Sequence, residues 1–256
     1  TNELKSSSKA SASVNKSVCE KWDKHFRITR AEVEKFVGAC QKNAQGQIIS
    51  GPTDQSFYTE AINLWPATPD NYAELKQTKY LAPFKDVNGD GEYKPSDGDY
   101  PYYDFNGDLC PVLSKQGGEK YNPIRTMEDS IGTGGLPVTG GILVDQVLKG
   151  DETLWWVFND KGNAHTESES QNPIGLEIRA QAFAFSMNDE INNMTFYSYE
   201  IINRSTFTLQ NTYFSQWVDP DLGYAFDDYV GCDVKRGLGY CYNGRSTDGP
   251  GVGSYS

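Results

Sequence analysis

The sequence predicts a mostly β fold: an antiparallel β-sandwich with a short N-terminal helical segment and calcium-binding loops. Three observations lead there. Aromatic side chains make up 13% of the 256 residues, with 16 Tyr, 12 Phe and 5 Trp against 3 Met, so rings on pleated strands are the expected core filling. The 25 Gly and 12 Pro punctuate short aromatic runs and leave little room for long helices. Acidic residues crowd into two short stretches, an arrangement that asks for bound cations. The chain divides on this reading into a flexible leader (1–18), a helix with a calcium loop and irregular region (19–150), and an antiparallel sandwich region (151–256) packed as one unit with what precedes it.

Residues 1–18 are rich in Ser, Lys, Asn and Ala without periodicity, which is the pattern of the leader. Thr29-Arg30-Ala31-Glu32 has the form of a capping box, and Val33, Phe36, Val37 and Cys40 follow at helical spacing. One amphipathic helix of about 11 residues is expected, its apolar stripe docked on the body. Residues 41–85 carry Pro52, Pro66, Pro69 and Pro83 and read as loop. Strands are expected at 153–158, 175–187, 194–203 and 211–218, with short pieces near Tyr229 and Gly239. Alternation is clearest at 195–201, where Tyr197, Tyr199 and Ile201 share a face. Asn188-Asp189-Glu190-Ile191-Asn192-Asn193 reads as a hairpin connection, and sequential strands with short turns imply a sandwich.

The net charge is −12, and its placement matters more than its size. Residues 86–108 hold seven acids (Asp86, Asp90, Glu92, Asp97, Asp99, Asp104, Asp108) against Lys94, a balance of −6. Residues 219–233 hold Asp219, Asp221, Asp227, Asp228 and Asp233 and no base. Like charge concentrated this way opposes folding unless a cation is bound among it. Residues 86–97 match an EF-hand-type loop, with Asp86, Asn88, Asp90 and Asp97 at positions 1, 3, 5 and 12 and Gly91 at position 6. Those four are the expected side-chain ligands for Ca2+, Glu92 the backbone-carbonyl ligand, and Lys94 contributes nothing directly. Asp97 at position 12, where Glu is usual, resembles the dockerin and thrombospondin type-3 variants. Pro95 and Gly98 argue against a following helix, so the loop reads as a static clip. Asp104, Asn106 and Asp108 repeat the first half of the pattern, with Leu109 in place of Gly, and either form a second site or complete the first. Asp219, Asp221, Asp227, Asp228 and Asp233 are the candidates for a further clip.

Other chemistries find little support. Phosphate binding needs clustered Lys and Arg, so a nucleic-acid partner is not expected. Two His and no Cys-x-x-Cys pair do not supply a zinc site. Pairing Cys19 with Cys40 and Cys232 with Cys241 leaves Cys110 over, so no disulfide is assigned. The Gly-rich run at 132–141 lacks the Lys of a phosphate-binding loop, and no Gly-x-Ser-x-Gly elbow accompanies His165 or His25. No apolar run approaches the roughly 20 residues that span a bilayer, so direct membrane insertion is not expected. The start at Thr1 without a signal-peptide pattern suits a processed protein or a piece of a longer one. Trp155 and Trp156 suggest carbohydrate binding or processing as the alternative function, although neighbours on a strand face opposite ways and only one could form a sugar platform.

Leu81-Ala82-Pro83-Phe84-Lys85 running into the calcium loop, Trp155-Trp156-Val157-Phe158-Asn159-Asp160, Ile202-Asn203-Arg204-Ser205, and Trp217-Val218-Asp219-Pro220-Asp221-Leu222-Gly223 with residues 227–233 together resemble a group of large secreted proteins of Bacteroidota. Members of that group carry type IX secretion, gliding-associated sorting domains at their far C-terminus. The resemblance runs from about residue 19 to 245; the sorting domain is not in this sequence, and the stretch from Asp104 to Leu148 is longer than the group's usual link. It implies an extracellular or outer-surface location, export through the outer membrane, and a non-enzymatic role in adhesion, gliding or surface assembly. The partners it implies are other cell-surface or secretion-system proteins, with surface glycans as a further class. Asp129-Ser130-Ile131 is similar to the O-glycosylation signal of these bacteria, with Ser130 as acceptor.

Overall fold

The computed structural model describes residues 20–69, 80–103, 147–161, 166, 173–205 and 208–248. The leader, Cys19, Asp104, Asn106, Asp108, Cys110, Ser130, the Gly-rich run and His165 lie outside them. Antiparallel strands dominate, and the chain divides into two compact units, residues 1–207 and 208–256.

In the first unit, strands β1 (Phe26–Thr29), β6 (Glu152–Asn159), β7 (Leu176–Ala184) and β8 (Phe196–Asn203) form one sheet in the order β1-β6-β7-β8, all antiparallel. Four strands of two or three residues lie between β1 and β6: β2 (Gln41–Lys42) pairs with β3 (Ile48–Ser50), and β4 (Phe84–Lys85) with β5 (Tyr100–Pro101). β5 also has two residues. The β7–β8 connection is the expected hairpin, closed by a 3-10 turn over Glu190–Asn193.

Helix α1 (Arg30–Ala39) starts where the sequence places it. Thr29 Oγ1 accepts from the Glu32 N–H at 3.2 Å, and Glu32 Oε2 accepts from the Thr29 N–H at 3.1 Å. Such a cap contributes about 1 kcal/mol. The strand just before it, β1, was not expected: its Phe-Arg-Ile-Thr alternation is only four residues long and takes its identity from pairing Phe26 with Trp155 and Ile28 with Thr153. A short second helix, α2 (Glu60–Asn63), interrupts the stretch read as loop, capped by Thr59.

The pleat of β6 decides where the core lies. Trp155, 1% exposed, and Val157 point to one side, where Val33 and Phe36 of α1, Ile62 of α2, Trp65, Leu81 and Phe84 close over them. Two helices and irregular segments thus cover this face; a second facing sheet is not among the described residues. Burying a ring of this size is the largest single apolar contribution available to a small core.

The same face carries an ionic cluster further along. Glu177 is fully buried, with Arg179 Nε 2.9 Å from its Oε1 and Arg204 Nε 3.2 Å from its Oε2, and Arg179 Nη1 reaches Glu200 at 3.5 Å. Burial pushes the Glu177 carboxyl up, but the two guanidinium groups outweigh it and hold the group at about 2. The ion pairs replace hydration that neither partner retains.

The second unit is built on the hairpin of β9 (Asp228–Asp233) and β10 (Leu238–Asn243). Tyr240 lies over Gly231 and Tyr229 over Gly244, positions where an added Cβ would sit 2.4 Å and 2.0 Å from the ring. The strand expected at 211–218 does not form. Residues 212–222 have no regular structure, Asn211 adopts φ 51°, and Tyr213 and Trp217 are 90% and 82% exposed. Alternating side chains make a strand only where a neighbour supplies ladder hydrogen bonds. Cys40, Cys232 and Cys241 are free thiols. No helix among the described residues is long and apolar enough to cross a membrane.

A depressed carboxyl pKa adds stability above its unfolded value, here 4.5, and that contribution disappears as pH falls toward 2. Glu177→Gln is therefore expected to lower stability by about 3–5 kcal/mol at pH 7 and to flatten the loss between pH 4.5 and 2 in denaturant titrations. Parallel curves for variant and parent across that window would contradict this role.

Candidate metal centre

The acidic loop is the connection of a short ribbon. β4 and β5 pair Phe84 with Pro101 and Lys85 with Tyr100, which fixes both ends of residues 86–99. Inside, the loop is organised by its own carboxylates. Asp86 accepts from the N–H groups of Gly89 at 2.7 Å and Gly91 at 2.8 Å. Asn88 Oδ1 accepts from the Asp90 N–H at 2.9 Å, and Asp90 Oδ1 from the Glu92 N–H at 2.8 Å. Gly91 has φ 76°, so the reversal sits where only glycine is unstrained.

This winding brings positions 3, 5 and 12 together. Asn88 Nδ2 lies 3.3 Å from Asp90 Oδ2 and 3.2 Å from Asp97 Oδ2, so a single donor already sits between two carboxylates. The helix of an EF-hand does not follow: Pro95–Asp97 form a 3-10 turn, and Gly98 at φ 98° leads directly into β5. The donor set is entirely oxygen, which suits a hard dication in chemistry. Among the described residues, however, no three His, Cys, Asp or Glu side chains are gathered as a metal cage.

Two loop residues carry roles the sequence reading did not give them. Lys94 Nζ lies 3.1 Å from Asp90 Oδ2 and 2.7 Å from Glu92 Oε2, so the lysine is a counter-ion of the loop. Its hydrogen bonds to Glu92 and Asp90 raise the ammonium above its ordinary value. Burial pushes the Asp90 carboxyl up, and the Glu92 N–H, Lys94 and Asn88 together outweigh this and hold it below the usual range.

Asp99 is the second. Its side chain is fully buried, with Oδ1 accepting from the Val87 N–H at 2.8 Å and Oδ2 from the Lys94 N–H at 2.9 Å. One carboxylate thus ties the start of the loop to its far side. Burial pushes the Asp99 carboxyl up to about 6, against the two N–H groups and with Asp86 and Asp90 adding to the rise. Tyr93 anchors the same loop to the core, its N–H donating to Thr68 Oγ1 at 2.8 Å and its hydroxyl to the Ile62 carbonyl at 2.7 Å. Nothing local in the sequence marks Asp99, because its partners are 12 and 5 residues away.

The second acidic stretch is arranged differently. Asp228 accepts from the Leu222 N–H at 2.7 Å, and the Asn243 amide, with its nitrogen toward Asp228, donates to Oδ1 at 2.9 Å and to the Leu222 carbonyl at 3.1 Å. Asp233 pairs with Arg236 across the hairpin turn. Asp227 is buried and its carbonyl accepts from the Gly244 N–H at 2.7 Å, while Asp219 and Asp221 are exposed. Asp248, which the sequence reading passed over, accepts from the Tyr224 N–H at 2.7 Å beside Gly223. Asp228 and Asp233 thus each hold a turn, and among the described residues the five candidates are not gathered as a metal cage.

No protein-family model, curated protein or solved structure matches the chain.

Removing the buried Asp99 carboxylate leaves the part-buried Val87 and Lys94 N–H groups without their acceptor, at about 1–3 kcal/mol in all. Asp99→Ala is expected to cost about 2 kcal/mol or more in chemical denaturation, several times the loss from Glu92→Ala on the exposed side of the loop. Equal small losses would contradict the bracing role.

Proposed function

We propose that this chain is a calcium-stabilised structural or adhesive module of a secreted cell-surface protein, a type IX secretion cargo of the kind its sequence resembles, and that it is not an enzyme. The observation that carries the reading is the loop of residues 86–97. Asp86, Asn88 and Asp90 each accept backbone N–H groups in successive tight turns, and Asn88 lies within hydrogen-bonding distance of Asp97, which is position 12. A hard cation meeting these oxygens would displace the Asn88 amide nitrogen and neutralise the carboxylates. Because Tyr93 and Asp99 tie the loop to the core, the ion would stiffen more than its own turn.

In this reading the module works outside the cell, where calcium is abundant, alongside other surface or secretion-system proteins. Further strands laid on the four-stranded sheet would complete a closed sandwich. Ser130 is the proposed glycan acceptor.

At an affinity of about 10 μM, 1 mM calcium would stabilise the fold by roughly 2.7 kcal/mol. Thermal melts are expected to rise by several degrees when calcium replaces excess chelator, and Asp86→Ala with Asp90→Ala is expected to abolish the difference. A melt that ignores both calcium and chelator would reject the proposal.

A further inference from the structure

The pleat that sends Trp155 into the core turns Trp156 to the opposite face of the sheet. There the pairing sets residues in rows: Trp156, Ala180 and Tyr199 stand opposite one another, as do Leu154, Ala182 and Tyr197. Ala180 and Ala182 are almost completely covered, while Tyr199, Tyr197 and Phe158 are 45%, 52% and 43% exposed. The result is a shallow trough with an aliphatic floor between walls of rings. Adjacent strands lie about 4.8 Å apart, so the backbones of the two walls are about 10 Å apart. The rings of Tyr197 and Tyr199 are parallel to within 7°, with centroids 6.4 Å apart, and His25 packs edge-on against Trp156 at 5.0 Å.

Charge and size narrow the occupant. Arg27 stands beside Leu154 at the β1 end of one row, where it pairs with Glu152 at 2.6 Å, and the other residues of these rows carry no charge in a chain of net charge −12. An anionic polymer would meet only a guanidinium already paired with Glu152, and a cationic one only a carboxylate already paired with Arg27. The whole sheet face measures on the order of 500 Å2, below the roughly 800 Å2 per partner of stable protein pairs. A narrow, uncharged chain with polar edges and apolar C–H faces fits both limits, since those C–H groups are drawn to the negative faces of aromatic rings.

We propose that this face binds an uncharged saccharide chain, with sugar rings laid against Tyr199, Tyr197 and Trp156. Tyrosine and tryptophan supply rigid contact area at low entropic cost, and their polar tips can meet hydroxyl groups. The inference rests on the adhesive reading above for its setting, and on none of the calcium ligands for its geometry.

The test is calorimetric titration of the full chain, with calcium present, against neutral hexasaccharides of β-linked glucose, mannose and xylose and against an anionic galacturonate hexasaccharide. At least one neutral probe is expected to bind and the anionic one to fail. Tyr199→Ala is expected to weaken binding about tenfold, and Tyr197→Ala to weaken it as well, both with the melting temperature of the parent. No neutral binding at millimolar probe, equal binding of the anionic probe, or binding untouched by both variants would overturn the inference. So would a dimer in sedimentation that Tyr199→Asp dissolves. Absent saccharide binding with an intact calcium-dependent melt would sink this proposal alone.

Discussion

Carboxylates held close together in a turn repel one another, and in this chain that repulsion is wired into the core. Asp99 bridges the two sides of the acidic loop from a fully buried position, and Tyr93 of the same loop donates to the Ile62 carbonyl beneath it. Any strain between Asp86, Asp90 and Asp97 is therefore felt by the helix and strands that pack around Trp155. Lys94 relieves part of it from outside, and the backbone N–H groups of Gly89, Gly91 and Glu92 relieve part from within. What is left is a group of oxygens whose chemistry suits a divalent cation, and the proposed function follows from that residue of unbalanced charge.

The second organising fact is the two-residue repeat of β6. Two adjacent tryptophans on one strand cannot share an environment. Trp155 becomes the centre of the buried cluster, and Trp156 joins an aromatic surface on the far side. Fold and proposed adhesion thus draw on the same alternation, one face each, with the buried Glu177–Arg179–Arg204 cluster on the inward face.

Local chemistry was legible in the sequence and long-range chemistry was not. The Thr29–Glu32 cap was readable because both partners lie within one turn, β7 and β8 because their side chains alternate in character along the strand, and β6 because Thr153 to Phe158 is a run of aromatic, β-branched and apolar residues. The turns of the 86–97 loop were readable for the same reason. β1 was missed because four residues carry no period until Trp155 stands beside Phe26. Residues 211–218 were misread in the opposite sense, having the aromatic and β-branched residues of a strand without a neighbour to pair with. The apolar stripe of the first helix was foreseen, yet the pattern did not say that Val33 and Phe36, joined by Ile62 from the stretch read as loop, would cover the sheet where a second sheet was expected. Asp228 and Asp233 were legible as acidic residues of a turn, whereas their partners there, the Leu222 N–H and Arg236, were not.

Equilibrium dialysis with radioactive calcium tests the central claim most directly, because it counts ions without reference to stability. The account predicts at least one calcium per chain at millimolar supply, lost on replacing Asp86 and Asp90 together. A chain that retains no calcium under those conditions would contradict it, and the crowded aspartates would then be turn-formers alone.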